Sequence, residues 1–393
     1  MAQDVNPRLL KKIRKYGAFD INACFNCGNC TAVCPLAQES GGFPRRVIRM
    51  GQVGMEKQLL AEEDLWRCFA CGECTRTCPR QADPAQYMAA ARRYAVSRYD
   101  ITGISRFMNA SWIGNMITFV IFSIFFTLLL LSHKGLMNGH DYESYLFKYI
   151  PGWWIHDIGV ALFVVIGLSA VTGATSMVVR VIKKKRLRGQ LARFSISSLI
   201  GAIAAAIHDS VAHKTFQRCD EDKKDQPLPM RPWFVHAMIM GGFLTMLAAT
   251  MLDYLVKPIG SYVPPWYPMR VLGMVGGLAC LYGLTLAIAR RLKKNVIPYN
   301  VSRFDDWFFL LLLALTVLTG FCAEISAYMA PSTVGAILFL THVVLAMDLI
   351  VMMPLNKFAH VIYRPLALTL YGWALNPESA TATLGAAAPS DNT

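Results

Sequence analysis

This chain of 393 residues is short of charge: Asp, Glu, Lys and Arg together make up 16% of it, and acids are the scarcer kind, 25 against 39 basic residues. A soluble protein carries about 25% charged residues, so much of this chain is not built to face water. No Gly-x-Gly-x-x-Gly occurs anywhere, which removes the phosphate-cradling turn of a Rossmann-type flavin or nicotinamide site. Two-electron chemistry on a soluble substrate therefore belongs on another polypeptide. Nor does an apolar core of signal-peptide length open the chain, since Met1 to Asp20 is basic and reads as a helix of a soluble domain.

What is present is a repeat. Cys-Phe-Asn-Cys-Gly-Asn-Cys-Thr-Ala-Val-Cys-Pro runs from Cys24, and Cys-Phe-Ala-Cys-Gly-Glu-Cys-Thr-Arg-Thr-Cys-Pro runs from Cys68. In this spacing three thiolates wrap three corners of a cubane, and the Cys before proline turns away to the other cluster. The expectation is two [4Fe-4S] clusters, one on Cys24, Cys27, Cys30 and Cys78, the other on Cys68, Cys71, Cys74 and Cys34. Zinc asks for only four thiolates, and disulfides suit an oxidising compartment that no leader here signals. Cys219, Cys280 and Cys322 lie far down the chain and read as packing residues. Between and after the two runs the sequence favours helices, near Arg45–Leu60 and beyond Pro84, rather than the β-hairpins of a compact ferredoxin.

Composition shifts after about residue 110. Six runs are long enough to span a bilayer, about 112–132, 155–179, 233–255, 269–290, 304–328 and 334–355. Basic clusters follow the second and fourth of them, from Arg180 to Arg188 and from Arg290 to Lys294. The positive-inside rule then puts the cysteine domain and the C-terminus on the cytoplasmic side of the membrane, in a multi-pass protein. The net charge of +14 is read as orientation and anionic-lipid contact, with no nucleic acid as partner.

Histidines are the second signal. His342 and His360 are 18 residues apart, which on one helix is the same face and ~27 Å of rise. Such a helix offers an imidazole near each side of the membrane, enough for two haems in series. For His360 the matching ligand is His236, at the cytoplasmic start of the third run. For His342 the choice lies between His156, which is shallower, and Met246, which matches its depth; bis-His ligation is the default for a membrane b-type haem, and His156 is taken. Membrane histidines can also simply bond a neighbouring helix. His208 and His213 fall in an amphipathic stretch, Phe194–Cys219, and read as surface residues. Asp253, Glu324 and Asp348 are acids in or near spans, which mark proton or quinone paths or else sit protonated against a neighbouring helix.

At these residues the chain resembles known families. The N-terminal third is similar to the iron–sulfur C subunit of heterodisulfide reductases. The remainder is similar to the membrane cytochrome b of nitrate and heterodisulfide reductases, through the His342/His360 pair and His236-Ala-Met-Ile-Met-Gly-Gly-Phe. The fusion, with an extra leading span, resembles the C subunits of quinone-interacting membrane-bound oxidoreductase complexes of sulfate-reducing bacteria. One place departs: the nitrate-reductase pattern has a second His ten residues after the first, where this chain has Met246. The Cys-Cys-Gly repeat of disulfide-reducing subunits is absent. The resemblance implies menaquinol oxidation and electron passage through two haems b and two clusters to two flavoprotein subunits, with adenylylsulfate reductase as acceptor. A passive anchor for a ferredoxin domain, or a heterodisulfide-reductase-type subunit with another acceptor, is the alternative. The expected architecture is all-α: an α-helical ferredoxin domain over 1–105, a six-helix transmembrane cytochrome b domain over 106–365, and a disordered C-terminal tail over 366–393.

Overall fold

The computed structural model describes residues 5–132, 150–187, 195–219, 226–256, 264–294, 297, 299, 301–329 and 332–374, and every regular element among them is helical, as the sequence suggested. Short helices α1 (Leu9–Arg14), α2 (Asn29–Ala32), α3 (Ala37–Ser40), α4 (Arg45–Gln52), α5 (Glu56–Leu60), α6 (Asp64–Arg67) and α7 (Glu73–Arg76) lead to α8 (Pro84–Tyr99) and α9 (Ile104–Ala110). Then come α10 (Trp112–Leu131), α11 (Gly152–Leu187), α12 (Ile196–Ala212), α13 (Lys214–Cys219), α14 (Pro232–Val256), α15 (Pro268–Lys293), α16 (Phe304–Ala327), α17 (Thr333–Val351) and α18 (His360–Ala374). The boundaries read from composition are linear, but the compact units interleave. One joins Met1–Ser111, Ala170–Glu221 and Ala359–Thr393; the other joins Trp112–Ser169 and Asp222–Phe358.

The first unit is organised by α8. Pro84 occupies its first turn, where a missing N–H costs nothing, and Asp83 caps it by accepting from the Gln86 N–H at 3.2 Å. Three of its buried polar side chains reach across to other segments. Tyr87 donates to the Val47 carbonyl at 3.1 Å, Tyr99 to Leu60 at 2.6 Å and Arg93 to Tyr16 at 2.9 Å. Leu9, Ile13, Ile21, Val47, Ile48, Leu59 and Leu65 close the core around it, each contributing about 1.5–3 kcal/mol by burial. The stretch Arg45–Leu60 is two helices rather than one. Gly54 interrupts it at φ +81°, where any Cβ would stand 2.4 Å from the Asn6 carbonyl oxygen.

Two expectations change in this unit. Arg180 to Arg186 belongs to the last turns of α11, not to a loop, and two of its lysines are engaged in protein contacts. Lys184 bonds Glu62 at 2.9 Å, and Lys185, 5% exposed, bonds Glu63 at 3.0 Å. Those two charges serve ion pairs rather than lipid headgroups. The expected tail also begins too early. Residues 366–374 continue α18, whose Tyr363 packs on Trp66 at 4.7 Å and Tyr99 at 5.2 Å and whose Ala367 and Leu370 enter the same core. The rest of the tail, 375–393, lies outside the described residues.

Six helices are long and apolar enough to cross a membrane among the described residues: α10, α11, α14, α15, α16 and α17. The chain is a multi-pass membrane protein. Ile121, Leu128, Val165, Leu278 and Leu318 are well exposed, as lipid-facing residues are. α11 has 36 residues, or ~54 Å of rise, well beyond the ~30 Å of a bilayer's hydrocarbon. In the second unit α14 and α15 meet through small residues. A Cβ on Gly242 would reach the Gly276 carbonyl oxygen at 2.4 Å, one on Gly283 the Val235 carbonyl oxygen at 2.8 Å, and Cys280 is wholly buried in the seam. Cys280 is thus a packing residue; Cys322 faces outward, and the side chain of Cys219 is outside the described set.

The single long helix expected to carry His342 and His360 does not exist. α17 stops at Val351, three residues ahead of Pro354, which has no N–H to continue the ladder, and Asn356 turns the chain by accepting from the Phe358 N–H at 2.8 Å. His360 opens a new helix, α18, in the other compact unit.

Candidate functional sites

The two cysteine runs fold alike, residue by residue. Cys24 and Cys68 are extended, at φ −71°, ψ 117° and φ −64°, ψ 131°. Asn26 and Ala70 follow at φ 61° and 55°, then Gly28 and Gly72 at 93° and 90°, each capping a one-turn helix that carries the third cysteine. Two left-handed residues within three positions cost strain that a bare loop would shed. They turn backbone N–H groups inward around the thiols, and the Ala70 N–H lies 3.4 Å from the Cys68 sulfur.

Thiols of the two runs come close enough to repel one another. Burial pushes Cys30 up, with added repulsion from Cys24, Cys27 and Cys78. Burial pushes Cys34 up to about 12, helped first by Cys68 and also by Cys71. Cys74 rises with burial and with Cys68, Cys71, Cys34 and Cys30. Thiols held this close resist joint ionisation unless a cation core compensates them, which iron does. Among the described residues no three His, Cys, Asp or Glu side chains converge tightly enough for one ion.

The bracing of the loops differs. Gln52 donates to the Cys24 carbonyl at 2.9 Å and accepts from Asn26. The second loop is held by guanidiniums: Arg92 donates to Leu65 at 2.7 Å and to the Cys68 carbonyl, and Arg364 donates to Arg67 at 2.7 Å and Trp66 at 3.2 Å. Sequence reasoning missed both arginines, which lie 24 residues or more from the loop they hold.

In the second unit α11, α14, α15, α16 and α17 enclose a cavity of about 580 Å³, within the range of cofactor-sized sites. His156, Met246 and His342 all lie on its wall, with Asp253, Arg270 and Glu324. His342 Nδ1 donates to the Thr316 carbonyl at 3.0 Å, so Nε2 is the unprotonated nitrogen, the form in which imidazole ligates iron. Its ring lies against Gly320, where a Cβ would come within 2.9 Å of Cε1. His156 meets Tyr254 edge-on at 4.9 Å, and Arg270 pairs with Glu324 at 2.7 Å. Donor set, volume and tautomer fit a haem there. Asp348 is not on this wall; it is fully buried and accepts from Ser123 at 2.6 Å between α10 and α17.

Of the other histidines, His236 is in the first turns of α14, His360 is the first residue of α18, and His208 is exposed. His213 is no surface residue. It is 3% exposed at φ 54°, donates Nδ1–H to the Val211 carbonyl at 2.9 Å, and is held below its usual pKa by burial and by the Arg364 charge.

Paired cysteine loops of this build, followed by six apolar spans, define a membrane-bound iron–sulfur protein. Residues 20–82 match the family model described as 4Fe-4S dicluster domain, and residues 113–377 the one described as citrate utilization protein B. The second match covers more than half of the chain, which therefore belongs to the citrate utilization protein B family. Among curated proteins, the chain is 31% identical over 103 residues to an Archaeoglobus profundus protein described as like the C subunit of heterodisulfide reductase, covering 26% of this chain and 55% of that one. It is 29% identical over 63 residues to the C subunit of the H(2):CoB-CoM heterodisulfide,ferredoxin reductase of Methanothermobacter marburgensis, covering 16% and 34%. The chain spans about a third to just over half of the length of these relatives. No solved structure matches.

Proposed function

We propose that this chain is the membrane subunit of a respiratory complex that oxidises menaquinol and delivers the electrons, through two haems b and two [4Fe-4S] clusters, to two flavoprotein subunits, with adenylylsulfate reductase as final acceptor. The membrane is a bacterial inner membrane and the cysteine domain faces the cytoplasm. The observation that carries this reading is the pairing, in one chain, of two matching cysteine loops with an intramembrane cavity walled by His156 and His342.

The cofactors supply one-electron carriage when bound. The chain's own residues hold them and handle protons. Cys24, Cys27, Cys30 and Cys78 hold one cluster, and Cys68, Cys71, Cys74 and Cys34 the other. His342, oriented by Thr316, and His156 hold the first haem, with Met246 on the same wall as the rival ligand. His236, in the first turns of α14, and His360, the first residue of α18, are each a candidate ligand for a haem. Asp253 and Glu324, on the cavity wall, are the carboxylates available to take the protons a quinol sheds.

A second reading keeps the wire and changes its end: a heterodisulfide-reductase-type subunit with another acceptor. The names of the curated relatives favour it. A pyridine-haemochrome assay with iron and sulfide determination on the purified chain tests both, since both need haem. Two haems b per pair of clusters, falling to one in His342→Ala and in only one of His156→Ala and Met246→Ala, support the wire and name the ligand. Intact clusters without haem reduce the spans to a passive anchor.

A further inference from the structure

The duplicated phrase contains its own control, because the same residue type meets two fates. In the second copy Phe69 stacks on Phe216 of α13 with ring centroids 4.9 Å apart, and the Arg364 guanidinium lies 3.5 Å from its ring centre. The chain itself covers that loop. In the first copy Phe25 is 59% exposed, with Arg80 at 5.9 Å, and Cys27 is the one exposed thiol of the eight. Phe19, five residues ahead of Cys24, is 64% exposed.

Basic side chains dominate around the open copy, with Asp20 an exposed acid beside Phe19. Arg45 and Arg49 on α4 are exposed and pair with no carboxylate among the described residues. Arg45 lies beside the loop, its Nη1 2.9 Å from where a Cβ on Gly28 would stand. Lys11, Lys12 and Lys15, exposed on and just after α1, precede the run. Exposed aromatics within a charged rim mark a protein interface.

We propose that electrons leave this chain at the first cysteine run, and that the face formed by Phe25, Cys27, Arg45 and Arg49 docks a soluble electron-transfer protein with an apolar centre and an acidic rim. The partner gives Phe25 the flat cover that α13 and α18 give Phe69. The proposal rests on the reading of the first run as a cluster site. A lipid surface is the poorer occupant, because it takes no electron from an exposed thiolate-bound centre.

The test uses the full chain in neutral detergent with both clusters, reduced by dithionite and mixed with oxidised flavodoxin, a small acidic flavin protein, as probe. One electron passes per encounter; the flavin takes it with one proton from water and becomes the neutral semiquinone, while the donor cluster is oxidised by one electron. The second-order rate is expected to fall as salt rises, to fall about tenfold or more in Arg45→Glu/Arg49→Glu, and to fall in Phe25→Ser. Lys11→Glu/Lys12→Glu is expected to slow it as well. Electron paramagnetic resonance signals of both clusters must persist in every variant; their absence from the unaltered protein would instead sink the cluster reading. Rates indifferent to these changes, or no flavodoxin reduction with both clusters present, overturn the proposal. Unchanged rates with Arg45→Glu/Arg49→Glu abolishing binding to phosphatidylglycerol vesicles would make the patch lipid-facing.

Discussion

The cysteine loops and the membrane cavity are both sites with several ligand-type side chains, yet they are assembled in opposite ways. Each cysteine loop is made within twelve residues, and its backbone repeats from one copy to the other to within about 15° at the three positions compared. The cavity takes residues from five helices between Ile155 and Ile350. A site built from neighbours in sequence carries its geometry in its spacing. A site built across a bundle depends on where helices begin, end and cross, which spacing alone does not fix.

The sharpest way to break this contrast is through the crossed cysteines, the one part of the local site that is not local. Cys78→Ser is expected to remove the cluster of the first run and leave that of the second, and Cys34→Ser the reverse. Each loses about half of the cluster iron, with different resonance signals surviving. Loss of the cluster in the variant's own run would show uncrossed ligation.

How far the sequence could be read follows the same line. The dicluster iron–sulfur domain, the all-helical fold and the six spans were legible because each rests on a period or a spacing. The His342/His360 helix was not, because helical arithmetic assumed continuity through Pro354 and Asn356. His213 looked like a surface residue on an amphipathic stretch until the αL turn after α12 carried it inward. Lys184 and Lys185 looked like lipid contacts because their partners, Glu62 and Glu63, are more than 120 residues away. Pro354 was visible in the sequence and could have flagged the first of these errors; nothing local could have flagged the other two.

A smaller effect sharpens the comparison from the cavity side. Gly320→Ala puts a methyl 2.9 Å from His342 Cε1 and 3.3 Å from Nδ1. The ring must turn from the Thr316 carbonyl that fixes its tautomer. Haem bound per cluster is expected to fall severalfold, as when an orienting partner of a metal-ligating histidine is lost. Gly167→Ala on α11 meets nothing within 4 Å and should leave haem content unchanged. Equal haem in both variants would show that the geometry of His342 is not what holds it.

The smallest effect concerns the ion pairs of the cysteine-bearing unit, where distant partners again decide the outcome. Burial raises the Glu63 carboxyl, but the ammoniums of Lys184 and Lys185 outweigh it and hold Glu63 down at about 2, against 4.5 for the free side chain. A carboxyl whose folded pKa is depressed stabilises the fold above its unfolded pKa, and that stability drains away as pH falls toward the folded pKa. The unaltered protein should therefore exceed Glu63→Gln by on the order of 3 kcal/mol at pH 6, with the gap closing between about pH 4.5 and 2. Asp64 runs the other way: burial and the neighbouring Glu62 push it up to about 7 against Arg67, but it is present in both proteins and largely cancels. Lys185→Ala leaves Glu63 buried with a weaker contact to Lys184 at 3.6 Å, and breaking a buried pair from one side costs about 3–5 kcal/mol. Thermal unfolding of the detergent-solubilised chain across this pH range reads both. A gap that stays constant from pH 6 to pH 3 would mean that Glu63 acts through packing rather than charge.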